Sequence, residues 1–70
     1  MSALPSKGEV WRRKRAYEQA VTVRIDSVDP DGSHVEFVKL TDAKGRPVRM
    51  ELTRVKRKSF MSDYCPKDAA

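Results

Sequence analysis

Ala20-Val21-Thr22-Val23-Arg24-Ile25-Asp26-Ser27-Val28 decides how this chain folds. Val21, Val23 and Ile25 alternate with Thr22, Arg24 and Asp26. A period of two sends the two sets to opposite faces, which is the pattern of a half-buried β-strand. The strand runs into Asp29-Pro30-Asp31-Gly32-Ser33. Proline presets the second position of a turn and glycine accepts positive φ, so the chain reverses there into a hairpin. His34-Val35-Glu36-Phe37-Val38-Lys39-Leu40 is the returning strand. Its alternation breaks at Phe37-Val38, which predicts a bulge or a stretch buried on both faces where a sheet curls.

Working outward, Thr41-Asp42-Ala43-Lys44-Gly45-Arg46 forms a second turn. Pro47 through Val55 then alternates again, with Val48, Met50 and Leu52 expected inward and Arg49, Glu51 and Thr53 outward. Pro47 is tolerated at the first position of a strand, where no ladder N–H is needed. Upstream, Gly8-Glu9-Val10-Trp11-Arg12 suits a first strand, and the charged stretch Arg13 to Gln19 reads as a long loop because no apolar face repeats along it, with a helix as the alternative because its residues are good helix formers. Downstream, Ser59-Phe60-Met61-Ser62-Asp63-Tyr64 is compact. It fits either one helical turn capped by Ser59, with Phe60, Met61 and Tyr64 facing the core, or a closing strand near Met61 to Cys65. Residues 1–7 are expected to be a flexible leader, 8–66 a single domain and 67–70 a disordered tail.

These parts describe an all-β fold: a small SH3-like, partly open barrel of about five strands, with a short helical turn near the C-terminus. Gly8-Glu9-Val10-Trp11, Val21-Thr22-Val23-Arg24-Ile25-Asp26-Ser27-Val28 and Phe60-Met61-Ser62-Asp63-Tyr64 also resemble small SH3-like proteins of phages and actinobacteria. The resemblance spans residues 8–66. It implies a fold and brings no catalytic residues with it.

Seventy residues support one domain with a thin core. Cys65 is the sole cysteine and His34 the sole histidine, so neither an intrachain disulfide nor a four-ligand zinc site can be assembled. Cys65 and His34 are also the only candidates for a Cys–His catalytic pair, and their positions beside Pro66 and just after a turn argue for packing and turn roles instead. Asp29-x-Asp31-Gly32 lacks the later glutamate of a calcium loop, and turn chemistry accounts for it. No phosphate-cradling glycine loop is present. The expectation is a non-enzymatic module without metal or cofactor. No apolar run approaches the length of a membrane span and no signal-peptide pattern opens the chain, so a cytoplasmic protein is expected.

Charge points to the partner. Lys7, Arg12, Arg13, Lys14 and Arg15 stand against Glu9, a net +4; Arg49, Arg54, Lys56, Arg57 and Lys58 stand against Glu51, again net +4, while the whole chain carries only +5. If the first and last strands lie side by side, the two blocks merge into one cationic patch. Small β-barrels bind nucleic-acid strands by pairing such a patch with exposed aromatics on which bases stack. The candidate binding residues are Trp11, Arg12, Arg13, Lys14, Arg15, Tyr17, Arg54, Lys56, Arg57 and Lys58. Trp11 has a second reading, as the packing anchor of a thin core. The partner expected is DNA or RNA. The alternative is a protein-interaction module, of the kind phages encode, that engages an acidic surface of a larger host or virion protein; a homodimer would supplement the thin core.

Overall fold

A computed structural model describes residues 4–67. The strands are β1 (Val10–Arg13), β2 (Thr22–Val28), β3 (His34–Thr41), β4 (Leu52–Lys56) and β5 (Tyr64–Pro66), with one helix, α1 (Arg57–Asp63), between β4 and β5. All neighbours are antiparallel and the sheet order is β4-β3-β2-β1-β5. The sheet is open, so the fold is the small, partly open all-β arrangement expected, with its short helix near the C-terminal end.

The alternation in β2 is realised as read. Val23 and Ile25 are buried while Arg24 and Asp26 are exposed. The hairpin closes through Asp29 and Gly32, where Gly32 takes φ +74° and donates its N–H to the Asp29 carbonyl at 2.8 Å. The bulges lie elsewhere than expected. Phe37 pairs with Ile25 and Val38 with Arg24 in unbroken register, and the irregularities fall between Ile25 and Ser27 and between Thr22 and Val23. The phase break at Phe37-Val38 is instead a buried residue beside a half-buried one on the opposite face.

The strand expected over 47–55 needs a larger correction. Only Leu52–Lys56 pairs with β3 as a strand, while Pro47 makes a single bridge to Thr41. The expected alternation does not carry through this strand. Val55, opposite Val35, packs against the core, whereas Thr53, opposite Phe37, stays exposed. Met50 and Leu52, expected inward, are 64% and 56% exposed.

Both readings of the C-terminal block are realised in succession. The chain is helical from Arg57 to Asp63 and then extended through Tyr64–Pro66. Ser59 does not cap the helix; Lys56 occupies the N-cap without a side-chain bond, and the Arg57 N–H donates to the Ser33 carbonyl at 2.9 Å. The stretch 13–19 is a loop apart from one 3-10 turn at Ala16–Glu18.

Trp11, Val23, Ile25, Val35, Phe37 and Phe60 form the buried core, flanked by Val28, Val55, Met61 and Tyr64. Phe60 is the hinge pin of this cluster. Its ring lies 5.2 Å from Trp11, 5.4 Å from Phe37 and 4.7 Å from Tyr64, which is the spacing of favourable aromatic pairs. The helix thereby plugs the open sheet and fixes where β5 meets β1. Within the expected leader, Pro5 is buried and Glu9 donates its N–H to the Ser6 carbonyl; within the expected tail, Lys67 donates to the Val10 carbonyl. Residues 1–3 and 68–70 lie outside the described residues.

Candidate nucleic-acid interface

The first and last strands do lie side by side, Trp11 opposite Pro66 and Arg13 opposite Tyr64. The strand beside β1 is β5, however, whereas β4, which carries Arg54 and Lys56, stands at the other edge of the sheet. The single merged patch expected from sequence therefore does not form. Two cationic clusters form instead, one at each end of α1. Seven residues of helix separate them, a rise of about 9 Å from Arg57 to Asp63.

The first cluster surrounds a concavity lined by Arg13, Lys14, Arg15, Glu18, Ser62 and Asp63. The Lys14 N–H donates to the Asp63 carbonyl at 3.0 Å, which ties the loop after β1 to the end of α1. Arg13 is committed to the fold. Its Nε lies 3.1 Å from Glu18 Oε2, another guanidinium nitrogen 3.9 Å from Asp63 Oδ2, and the group sits 5.2 Å above the Tyr64 ring. Arg12 is half-buried and donates to the Arg13 carbonyl. Arg15 donates to the Tyr17 hydroxyl at 3.3 Å, a bond that raises the Arg15 pKa further. Tyr17 is 73% exposed. Trp11 is fully buried and cannot stack on a base, so its role is the packing one.

The second cluster is lined by Gly32, Ser33, Lys56, Arg57 and Lys58. No carboxylate lines it. Arg54 does not belong to it functionally. Its two terminal nitrogens grip both oxygens of Asp29, one of them at 2.9 Å, and it reaches Glu36 Oε1 at 3.3 Å. This fork holds the Asp29 carboxyl below the usual carboxylate range, chiefly through the hydrogen bonds from Arg54. Arg54 is thus a clasp between the β2–β3 hairpin and β4. Among the described residues, Lys14, Arg15, Lys56, Arg57 and Lys58 have no carboxylate within ion-pairing distance.

Sequence inspection missed Ser62, Asp63, Gly32 and Ser33 as neighbours of the clusters. Lys58 and Ser62 stand four apart on α1, a spacing that puts them on one helix face and could have been read once the helix was assumed. Nothing local signals the meeting of Asp63 with Lys14. His34 and Cys65 lie on β3 and β5, with β1 and β2 between them. No group of three or more metal-ligating side chains gathers among the described residues, and no helix there is long and apolar enough to cross a membrane.

No family model, curated protein or solved structure matches the chain. What fold and surface define is a small all-β domain with an open sheet, carrying two cationic clusters around a single helix.

Proposed function

We propose that this chain is a non-enzymatic module that binds a nucleic-acid strand along the solvent side of α1. The observation that carries the reading is the set of five cations free of carboxylate partners, divided between the two ends of the helix. The two clusters stand at the two ends of a helix about 9 Å long, so one extended strand can meet both with successive phosphates. Tyr17, exposed and held by Arg15, supplies a ring on which a base can stack. Lys14 and Arg15 contact one end of the strand, and Lys56, Arg57 and Lys58 the other. Exposure of only one aromatic favours a backbone-tracking, sequence-tolerant mode.

The test is a titration of a labelled single-stranded oligonucleotide at several salt concentrations. Engagement of about four phosphates on a single strand gives a slope of log K against log salt near −2.8. A slope close to zero, or no binding to any DNA or RNA strand at low salt, removes this reading and leaves an acidic protein surface as the partner.

A further inference from the structure

We infer that the open edge of β4 (Leu52–Lys56) takes up an extended peptide of a partner protein as an additional, antiparallel strand. The peptide is acidic where it passes Lys56 and apolar where it passes Val55 and Leu52. The inference rests on the sheet edge and does not depend on the nucleic-acid reading.

Backbone geometry singles out this edge. The Arg57 N–H donates to the Ser33 carbonyl at 2.9 Å, and the ladder pairs His34 with Lys56 and Val35 with Val55 in even register. Antiparallel pairs alternate between bonded and non-bonded, so Val55 and Thr53 also bond to β3. The N–H and C=O groups of Leu52, Arg54 and Lys56 therefore point away from β3. No strand lies beyond them among the described residues. Exposed backbone of this kind templates a further strand. The opposite edge is closed to such pairing. There the Lys14 N–H donates to the Asp63 carbonyl and the Lys67 N–H to the Val10 carbonyl, which turns Tyr64 and Pro66 outward. Pro66 has no N–H to offer.

Side chains set the chemistry of the occupant. Directly paired residues share a face of the sheet. The core-face row Val28–Val35–Val55 runs to the edge and stops, and so does the outer-face pair Val38–Leu52. Leu52 is left 56% exposed. An apolar residue opposite Val55 and another opposite Leu52 continue both rows. Lys56 is exposed, and neither it nor Arg57 and Lys58 beyond it has an ion-pair partner among the described residues. A carboxylate opposite Lys56, with a second one residue further on, meets this cationic end. Arg54 is already clasped by Asp29 and Glu36 and calls for no charge. A second copy of β4 fits poorly. Outward groups must meet outward groups, which leaves two-fold axes at Arg54, Val55 or Thr53. The first sets Arg54 against itself and Lys56 against Leu52. The second sets Arg54 against Lys56, and the third Leu52 against Arg54. None matches opposite charges or joins the apolar rows.

The test titrates the isotope-labelled full chain, free of nucleic acid, with the capped peptide Glu-Glu-Val-Thr-Val-Leu. Amide chemical shifts and hydrogen exchange are the readouts. The peptide binds with a dissociation constant between about 10 μM and about 1 mM, the range of weak complexes. Amides of Leu52, Arg54 and Lys56 move downfield and gain protection, while those of Thr53 and Val55 change least. N-methylation of the peptide threonine, which lies opposite Arg54 and exchanges both hydrogen bonds with it, abolishes binding. N-methylation of the valine after it, whose N–H points away, does not. The charge-reversed peptide Lys-Lys-Val-Thr-Val-Leu binds about tenfold more weakly, or worse. All variation lies in the peptide, so the fold of the chain is the same in every arm. Absence of binding at about 1 mM overturns the inference. So does binding that ignores which amide is methylated, or the sign of the peptide's charge. Nucleic-acid binding is read separately by the salt titration and stands or falls on that.

Discussion

A Phe60→Ala chain should lose about 3–5 kcal/mol of stability, half or more of what a domain at the low end has. Phe60 is 1% exposed and its ring contacts Trp11, Phe37 and Tyr64, so truncation opens a cavity at the point where α1 meets the sheet. Phe-to-Ala changes in cores cost about 3–5 kcal/mol. At about 0.05–0.15 kcal/mol per residue, a chain of 70 residues has only about 4–10 kcal/mol in total, and small domains sit toward the low end. The loss is therefore a large part of the whole stability. Urea unfolding followed by far-UV circular dichroism measures it, with Tyr17→Ala as the control. Tyr17 is exposed and lies outside the core, so its truncation should change stability by no more than about 0.5 kcal/mol. Equal stability of the two variants would mean that α1 does not anchor the fold.

Reversing Lys56 and Lys58 to Glu should cost the larger part of the affinity for a nucleic-acid strand. Both residues are exposed and line the cluster that has no carboxylate of its own. Hydrogen bonds to charged groups contribute about 1.5–3 kcal/mol each, so losing two phosphate contacts weakens binding about a hundredfold or more at low salt. Arg24→Glu is the matching control. It changes the net charge by the same amount per site but lies on β2, in register with Val38 and away from α1. If Arg24→Glu weakened binding as much per charge, the effect would be one of overall charge and not of a site. Arg54→Glu makes a poor probe, because it breaks the clasp to Asp29 and Glu36 and so alters the hairpin as well as the charge.

How far this could be read in advance depended on the range of the interactions involved. The β2–β3 hairpin was legible because its determinants are local: alternation, a proline and a glycine within one turn. β4 was not. Val48, Met50 and Leu52 alternate as cleanly as Val21, Val23 and Ile25, yet the face a strand presents to the core is set by its register with a neighbour. Only Leu52–Lys56 pairs with β3, and there Val55 meets the core opposite Val35 while Leu52 is left exposed. The C-terminal block was ambiguous for a different reason. A helix and a strand follow each other within ten residues there, and one window could not show both.

The candidate site followed the same rule. That the cations cluster was visible in their order along the chain, and Tyr17 stood out as an aromatic in a charged loop. Which cations stay free was not visible. Arg13 is drawn to Glu18 and Asp63, and Arg54 to Asp29 and Glu36, through contacts that topology alone creates. Trp11 sits directly before four basic residues but belongs to the core, because β1 turns it toward Phe60.

The binding surface along α1 is tested most directly by an amide chemical-shift map of the full chain titrated with a short single-stranded oligonucleotide. If the strand lies along α1, the perturbed amides are those of Lys14 to Tyr17, Gly32, Ser33 and Lys56 to Ser62, at both ends of the helix, and they move together with one apparent affinity. Perturbations confined to one end, or centred on Val48 to Leu52, would contradict the binding surface described above.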